Sequence, residues 1–338
     1  MGSGLATTET TAERNGGKLN GLTDLKLFAG SANPDLASRV AEYLGVHIGS
    51  LTATRFSDGE IRIMIEESAR GNDVFIIQPT CAPANDNLME LMIMLDAFRR
   101  ASAKRITVVM PYYGYARQDK KIKPREPITA RLVADMITMA GAHRVLALDL
   151  HADQIQGFFN MPVDHLYGGP IIGRYLTAEG YRDREDVVVV APDVGSVGRA
   201  KALAEMLHCP FVVIAKRRPE PNKVEVVEII GEFRDKICII IDDMIDTGGS
   251  IISGAEALLQ RGAREVIATC THPVFSGTAL HKLQDSIISR VICLDTIPIA
   301  REKRVNKLTI LESAPLIGEA IRRIHANESV SVLFHEWR

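Results

Sequence analysis

Short apolar runs rich in Val and Ile alternate with longer stretches of helical periodicity from Leu25 onward. Apolar runs of this kind are typical of strands buried on both faces, and the longer stretches are typical of helices that cover a sheet. The alternation therefore predicts the α/β class, with mostly parallel sheets flanked by helices. The predicted strands are Val74–Ile77, Ile106–Met110, Val145–Leu148, Val187–Ala191, Phe211–Ile214, Ile237–Ile241 and Val266–Thr269. The predicted helices are Leu88–Ala101, Ile128–Ala140, Gly198–Leu207 and Ser250–Gln260.

The two halves of the chain resemble each other. The matching segments are FAG at 28–30 and VAP at 190–192, IIQPT at 76–80 and IIIDD at 239–243, RITVV at 105–109 and REVIA at 264–268, and RVLALD at 144–149 and RVICLD at 290–295. The matches keep the same order along the chain, so we infer a duplicated α/β unit. We expect a flexible tail at 1–22, a first domain at 23–167 and a second domain at 168–307, with 308–338 folding back onto the first.

The composition excludes several classes of protein. With 338 residues, of which 46% are hydrophobic and 24% charged, the chain can bury two cores, so it is neither disordered nor fibrous. A net charge of -2 gives no overall field for nucleic acid or an anionic membrane, and we expect neither as a partner. The five cysteines have no C-x-x-C spacing, which favours reduced thiols over a zinc site. No apolar stretch approaches the ~20 residues of a membrane span, so we expect a cytoplasmic protein.

The segment CIIIDDMIDTGGSI at 238–251 carries the strongest candidate chemistry. A buried strand is predicted to end at two carboxylates, and a glycine-rich turn then opens a helix. Gly248 and Gly249 allow close approach of the backbone, and the amides and dipole of the helix start favour an anion such as a phosphate. Asp242 and Asp243 would accept hydrogen bonds from vicinal hydroxyls, whereas they would repel a phosphate. The loop therefore predicts a site for a phosphorylated ribose.

Two other interpretations of this loop remain open. One is an acidic turn whose glycines serve only for bending, and the other is a metal site built on the two carboxylates. In the first half of the chain, the corresponding segment PTCAPAND at 79–86 has neither the acidic pair nor the glycines. We therefore expect the first half to have lost sugar-phosphate binding.

The loop IIIDDMIDTGGS at 239–250 resembles the phosphoribosyl-binding signature of type I phosphoribosyltransferases. Further segments narrow the resemblance to the class I ribose-phosphate pyrophosphokinase family. They are RFSDGE (55–60), GNDVFIIQPT (71–80), MPYYGYARQDKK (110–121), DLHADQIQGFF (149–159), APDVGSVGRA (191–200) and AKRR (215–218). The resemblance covers about residues 25–338 and implies two duplicated phosphoribosyltransferase-like domains.

The resemblance implies a reaction and an assembly. The diphosphoryl group of ATP would be transferred to the 1-hydroxyl of ribose 5-phosphate, giving AMP and 5-phosphoribosyl 1-diphosphate for nucleotide biosynthesis, with Mg2+ required. A homo-oligomer, specifically a hexamer, is expected, with phosphate and ADP as effectors. The Phe56–Glu60 loop would then reach the ATP of a neighbouring subunit.

The resemblance also implies roles for individual residues. Lys216 and Arg218 would be catalytic. ATP would be held by Phe56, Asp58, Gly59, Glu60, Arg117 and Gln118. Ribose 5-phosphate would be held by Arg218, Asp242, Asp243, Asp246, Thr247, Gly248, Gly249 and Ser250. His151 and Asp193 would bind the metal; because magnesium prefers oxygen ligands, His151 could act through water, or it could instead pair with Asp149.

The basic residues near the predicted strand Phe211–Ile214 have two interpretations. Lys216 and Arg218 follow that strand, and the RPEPNK segment at 218–223 is typical of a mobile loop. Cations on such a loop can close over ATP and neutralise the transferred group. A solvated basic loop is the simpler alternative.

Rival functions would use the same loop differently. A phosphoribosyltransferase would displace diphosphate from the sugar, but such enzymes usually need one α/β unit. A non-catalytic regulatory paralogue is expected to carry an insertion after Lys216 or to lose its basic residues, and the sequence does neither. A nucleic-acid regulator is disfavoured because no basic cluster is interleaved with aromatic residues.

Overall fold

The structure, a computed structural model, describes residues 22–217 and 226–334. These residues form two lobes, each built on one sheet that has buried apolar clusters on both faces. We call them the first lobe and the second lobe, in chain order. In the described residues, none of the helices combines the length and the apolar character needed to cross a membrane.

The first lobe contains a sheet of five parallel strands. Its elements are β1 Leu25–Ala29, α1 Pro34–Leu44, β2 Leu51–Arg55, β3 Ile61–Ile65, β4 Asp73–Ile77, α2 Ala84–Arg100, β5 Arg105–Met110, α3 Thr129–Ala140, β6 Arg144–Leu148 and β7 Val163–Leu166. The order across the sheet is β1-β4-β5-β6-β7, while β2 and β3 form a separate antiparallel hairpin. Successive strand residues face opposite sides, so Val74 packs in one apolar cluster and Phe75 in the other.

The second lobe contains a seven-stranded sheet. Its elements are α4 Gly169–Ala178, β8 Val187–Ala191, α5 Val197–Leu207, β9 Phe211–Arg217, β10 Val226–Ile230, β11 Ile237–Ile245, α6 Gly249–Gln260, β12 Glu265–Pro273, α7 Ala279–Asp285, β13 Arg290–Leu294, β14 Leu308–Leu311 and α8 Ala314–His325. The order is β10-β9-β8-β11-β12-β13-β14, and only β10 runs antiparallel to its neighbour.

The two sheets repeat one arrangement. The order β1-β4-β5-β6-β7 in the first corresponds to β8-β11-β12-β13-β14 in the second. The segments that match in the sequence fall on the first four of these strand pairs. The predicted α/β class and the predicted duplication are therefore confirmed.

The C-terminal segment is divided between the lobes. β14 pairs with β13 and so extends the second sheet. α8 then packs against α1, where Ile317 and Ile321 join Leu36 and Val40 in one buried cluster. The C-terminal segment therefore contributes a strand to the second sheet and a helix to the first lobe. Of the expected tail at 1–22, Leu22 alone is among the described residues.

Three strands run several residues past the ends that their apolar runs predict. β11 continues to Ile245 and β12 continues to Pro273 because the two strands pair with each other that far. β9 continues to Arg217 because it pairs with the antiparallel β10, which the sequence analysis did not predict. The predicted ends at Ile241, Thr269 and Ile214 are therefore wrong, since backbone pairing does not stop where an apolar run ends.

Candidate active site

A cavity of about 910 Å³ lies between the lobes, where β8 and β11 end. Loops that follow parallel strands meet at one edge of a sheet, and polar side chains from both lobes converge here. The first lobe contributes Arg117, Asp119, Lys120, His151 and Asp153, and the second contributes Asp193, Ser196, Arg199, Asp242, Asp243, Asp246, Thr247 and Ser250. The structure thus brings together the predicted sugar-phosphate loop, both predicted metal ligands and Arg117.

The two adjacent carboxylates of β11 have opposite electrostatic environments. Burial raises the pKa of Asp242, and the negative charge of Asp243 adds to the effect. Burial opposes the charge of Asp243 as well, but a hydrogen bond to His151 and the charge of Arg199 outweigh it and lower the pKa of Asp243. The pair therefore divides into one carboxylate held by cations and one that a ligand could engage.

His151 is anchored by the second lobe. Its Nδ1 lies 2.7 Å from Asp243 Oδ2, and this hydrogen bond raises the pKa of His151. The alternative pairing of His151 with Asp149 is therefore wrong. Because Nδ1 is engaged, Nε2 is the ring nitrogen that could face a ligand.

Asp193 and Asp242 are joined by one serine. Asp193 Oδ1 accepts a hydrogen bond from Ser196 N at 2.9 Å, and Ser196 Oγ lies 3.0 Å from the same oxygen. Ser196 Oγ also lies 3.0 Å from Asp242 Oδ1. The predicted metal ligand Asp193 and the predicted sugar ligand Asp242 therefore share a hydrogen-bonded neighbour.

The start of α6 has the features of an anion site. Gly248 precedes the helix with φ +78°, a left-handed conformation that favours glycine, and no side chain caps the helix start. The amides of the first turn are thus open to a ligand, with Thr247 and Ser250 beside them on the cavity wall. Gly249 has no such backbone requirement, since an added Cβ would meet Thr247 Oγ1 at an ordinary 3.9 Å.

Arg117 connects the lobes directly. Its Nη1 donates to Asp246 Oδ2 at 2.5 Å, which pairs a residue predicted to hold ATP with a residue predicted to hold the sugar phosphate. Arg117 also lies on the wall of a second inter-lobe cavity of about 750 Å³. Gln118 lines only that second cavity, and its Oε1 accepts a hydrogen bond from Thr129 Oγ1 at 2.6 Å.

The predicted nucleotide loop at 56–60 lies elsewhere in the chain. Phe56, Asp58, Gly59 and Glu60 form the turn between β2 and β3, and none of them lines the inter-lobe cavity. The Phe56 side chain is 51% exposed, and the Arg62 guanidinium lies 5.9 Å from the centre of its ring. The structure therefore does not bring this loop to the cavity of its own chain.

The two predicted catalytic cations are only partly described. Lys216 belongs to β9, opposite Val227 of β10, so it lies within a strand rather than after one. Arg218 and the rest of the segment up to residue 225 lie outside the described residues.

Two features of the site, Arg199 and the network around Asp149, were not predicted from the sequence. Arg199 lines the cavity, and although burial opposes its charge, Asp149, Asp243 and other nearby carboxylates raise its pKa. Asp149 Oδ2 accepts hydrogen bonds from Gly168 N at 2.8 Å and Thr271 Oγ1 at 2.5 Å, and so holds β12 against the first lobe. Both residues lie in segments that carry the family resemblance, APDVGSVGRA and DLHADQIQGFF, which is the signal that could have identified them.

Two family models match the chain. The N-terminal domain of ribose phosphate pyrophosphokinase matches residues 25–141, and the phosphoribosyl synthetase-associated domain matches residues 217–335.

Curated relatives match almost the whole chain. A ribose-phosphate pyrophosphokinase of Clostridium tetani is 58% identical over 310 residues, which cover 92% of this chain and 97% of the relative. One of Caldanaerobacter subterraneus is 56% identical over 310 residues, covering 92% and 98%. The crystal structure of phosphoribosylpyrophosphate synthetase from Mycobacterium smegmatis superposes with a TM-score of 0.85 and 46% identity, covering 90% of this chain and 99% of that one. The chain therefore belongs to the ribose-phosphate pyrophosphokinase family.

Proposed function

We propose that this chain transfers the diphosphoryl group of ATP to the 1-hydroxyl of ribose 5-phosphate within the inter-lobe cavity. The observation that carries the proposal is the convergence of the α6 start, the β11 carboxylates and cations of both lobes on one cavity. An open helix start suits the 5-phosphate, and a carboxylate suits the sugar hydroxyls. Family membership adds the reaction type.

The sugar site is assigned to the loop from Asp242 to Ser250. Asp242 is the carboxylate proposed to accept the ribose hydroxyls, because Asp243 already holds His151. The amides from Gly248 onward would bind the 5-phosphate, assisted by Thr247, Ser250 and, on the family resemblance, Arg218. Asp246 lies at the same loop and would have to exchange its contact with Arg117 for the ligand.

The transfer step exchanges one oxygen–phosphorus bond for another. The 1-hydroxyl oxygen of the sugar forms a bond to the β-phosphorus of ATP and loses its proton, and the bond from the β-phosphorus to the α,β-bridging oxygen breaks, so AMP leaves with that oxygen. In such a step the protein aligns the sugar oxygen with the β-phosphorus and neutralises the charge of the phosphates. Arg117 and Lys120 lie on the cavity wall and would supply positive charge next to the phosphates. The resemblance adds Lys216 as the catalytic cation, together with Gln118 and the Phe56–Glu60 loop as ATP ligands.

The donor atoms around Asp193 fit magnesium. In the described residues, no group of three or more His, Cys, Asp or Glu side chains is arranged to hold a metal ion. Mg2+ usually takes one or two protein carboxylates and completes its shell with water and substrate phosphates, so a cluster of that size is not required. Asp193 would supply an oxygen, and His151 would act through a water on Nε2. When bound, Mg2+ would neutralise charge on the ATP phosphates.

The assembly and location are proposed on the family resemblance. A homohexamer would place the Phe56–Glu60 turn against the cavity of a neighbouring chain, and the exposure of Phe56 supports this. Phosphate and ADP are the proposed effectors, and the cytoplasm is the proposed location.

The test is formation of AMP and 5-phosphoribosyl 1-diphosphate from ATP and ribose 5-phosphate, with and without Mg2+. We expect equal amounts of both products with Mg2+ and a loss of about 100-fold or more in kcat for Lys216→Ala, because the variant lacks a cation that stabilises the transition state. The control is Lys201→Ala, which removes an exposed lysine of α5 that pairs with Glu205 at 3.6 Å. An intact chain that binds ribose 5-phosphate but forms neither product would overturn the proposal.

A further inference from the structure

We infer that Ser196 is a positioning residue for the sugar site: its buried hydroxyl orients the Asp242 carboxylate so that one oxygen is kept for the ribose. Ser196 ends the short 3-10 turn Val194–Ser196 between β8 and α5, and only 2% of its surface is exposed. The inference deepens the proposed function and rests on Asp242 as a sugar ligand.

The backbone of this turn already donates a hydrogen bond to the Asp193 carboxylate. Asp193 Oδ1 accepts the N–H of Ser196 at 2.9 Å, which caps the turn. The hydroxyl of Ser196 lies 3.0 Å from this oxygen and 3.0 Å from Asp242 Oδ1, yet it has a single proton to donate. Because the N–H satisfies Asp193, the hydroxyl proton is available to Asp242.

The second donor to Asp242 contacts the same oxygen. The N–H of Asp243 donates to Asp242 Oδ1 at 2.9 Å. These two donors both end on Oδ1, and Oδ2 is the oxygen assigned to a ligand hydroxyl, beside the Asp243 carboxylate, which also contacts that of Asp242. One donor from the turn after β8 and one from the backbone of β11 fix the rotation of the carboxylate, as a precise binding site requires.

Without the Ser196 hydroxyl, Asp242 would lose the donor that counters repulsion from the neighbouring carboxylates. Asp193 and Asp243 both carry carboxylates close to it, and repulsion between like charges in a poorly solvated wall favours rotation away from them. The amide of Asp243 alone would not restore the orientation. Sugar binding is then weakened before the chemistry of transfer is affected.

The experiment compares Ser196→Ala and Ser196→Gly, which both lack the hydroxyl, with Ser196→Thr, which keeps it. Binding of ribose 5-phosphate to the full-length protein is measured by calorimetry without ATP or metal, and KM and kcat are measured separately. We expect the Kd and the KM for ribose 5-phosphate to rise about 5- to 20-fold in both hydroxyl-free variants, with kcat within about 2-fold and the KM for ATP unchanged. Ser196→Thr is expected to bind more tightly than either.

The matched control is Ser38→Ala, which removes an exposed hydroxyl that donates to Pro34 O in α1, and it is expected to bind ribose 5-phosphate like the wild type. A wild-type Kd in either folded hydroxyl-free variant, or an equal rise in the KM for ATP, would overturn the role of Ser196 and leave the proposed reaction standing. A wild-type protein that does not bind ribose 5-phosphate would overturn both.

Discussion

The two lobes share one order of parallel strands, but the loops at the carboxyl ends of these strands differ. In the second lobe, β11 leads through Asp242 and Asp243 to an uncapped helix start, and the loop opens into a large cavity. In the first lobe, β4 leads through a neutral loop to α2, and the buried polar groups nearby bind one another. Ser31 N and Ser31 Oγ each donate to the Glu90 carboxylate at 2.6 Å, and Gln78 Nε2 donates to Glu90 Oε1 at 3.2 Å.

This difference supports the proposal that one copy of the duplicated unit has a sugar-phosphate site and the other does not. Glu90 is only 4% exposed, so its charge needs internal hydrogen-bond donors. It takes the N–H of Ser31, in the loop after β1, which corresponds to the loop after β8 that carries Asp193 in the second lobe. The chain's own carboxylate thus uses donors that a ligand at this edge of the first sheet would otherwise need.

The largest effect is expected from removing the carboxylate of the second lobe that is proposed to bind the sugar. Asp242→Ala should lower kcat/KM for ribose 5-phosphate by about 100-fold, because a charged acceptor for sugar hydroxyls is lost. Steady-state kinetics with saturating ATP measure this. Asp35→Ala, which removes an exposed acid at the start of α1 in the first lobe, is the control and should retain wild-type kinetics. Near-normal kcat/KM in Asp242→Ala would show that the second-lobe acids are not a sugar site.

An intermediate effect is expected from the anion site at α6. Gly248→Ala places a side chain at φ +78°, a strain of about 1–2 kcal/mol, and should weaken ribose 5-phosphate binding roughly 10-fold as the loop shifts. Gly249→Ala is the neighbouring comparison, because the added Cβ finds ordinary space, and its loss should stay below about 3-fold. Calorimetry measures the Kd of ribose 5-phosphate for both variants. Equal losses of affinity in the two variants would contradict a specific role for the Gly248 conformation.

The smallest effect on activity is expected in the first lobe. Glu90→Gln puts an amide where three donor groups converge, so it should lower the free energy of unfolding by about 1–3 kcal/mol while changing the KM for ribose 5-phosphate less than 2-fold. Urea unfolding measures the first quantity. Glu42→Gln, at an exposed position of α1, should leave stability unchanged. A large rise in KM with normal stability would mean that the first lobe still contributes to the sugar site.

The central strands, the duplication and the loop from Asp242 to Ser250 could be predicted from local sequence patterns. The apolar runs identified the central strands, and the repeated segments identified β1, β4, β5 and β6 as counterparts of β8, β11, β12 and β13. The loop from Asp242 to Ser250 was recognisable because its acids, glycines and helix start are contiguous in sequence.

Features that depend on distant partners were not predictable. β10 and the last residues of β9 form through each other's backbone, which no single run reveals. The partner of His151 is Asp243, 92 residues away, rather than the nearby Asp149, because the lobes meet at that point. The proposed contact of the Phe56–Glu60 turn with the ATP of a neighbouring chain would require a second chain, so it stays a prediction.

The most direct test is the number of ribose 5-phosphate molecules bound per chain, measured by calorimetric titration of the full-length protein and of Asp242→Ala. We expect one site per chain in the wild type, and a strong loss of binding in Asp242→Ala, because only the second lobe keeps an open sugar-phosphate loop. Two sites per chain, or one site that survives the substitution with wild-type affinity, would contradict the assignment of sugar binding to the second lobe alone.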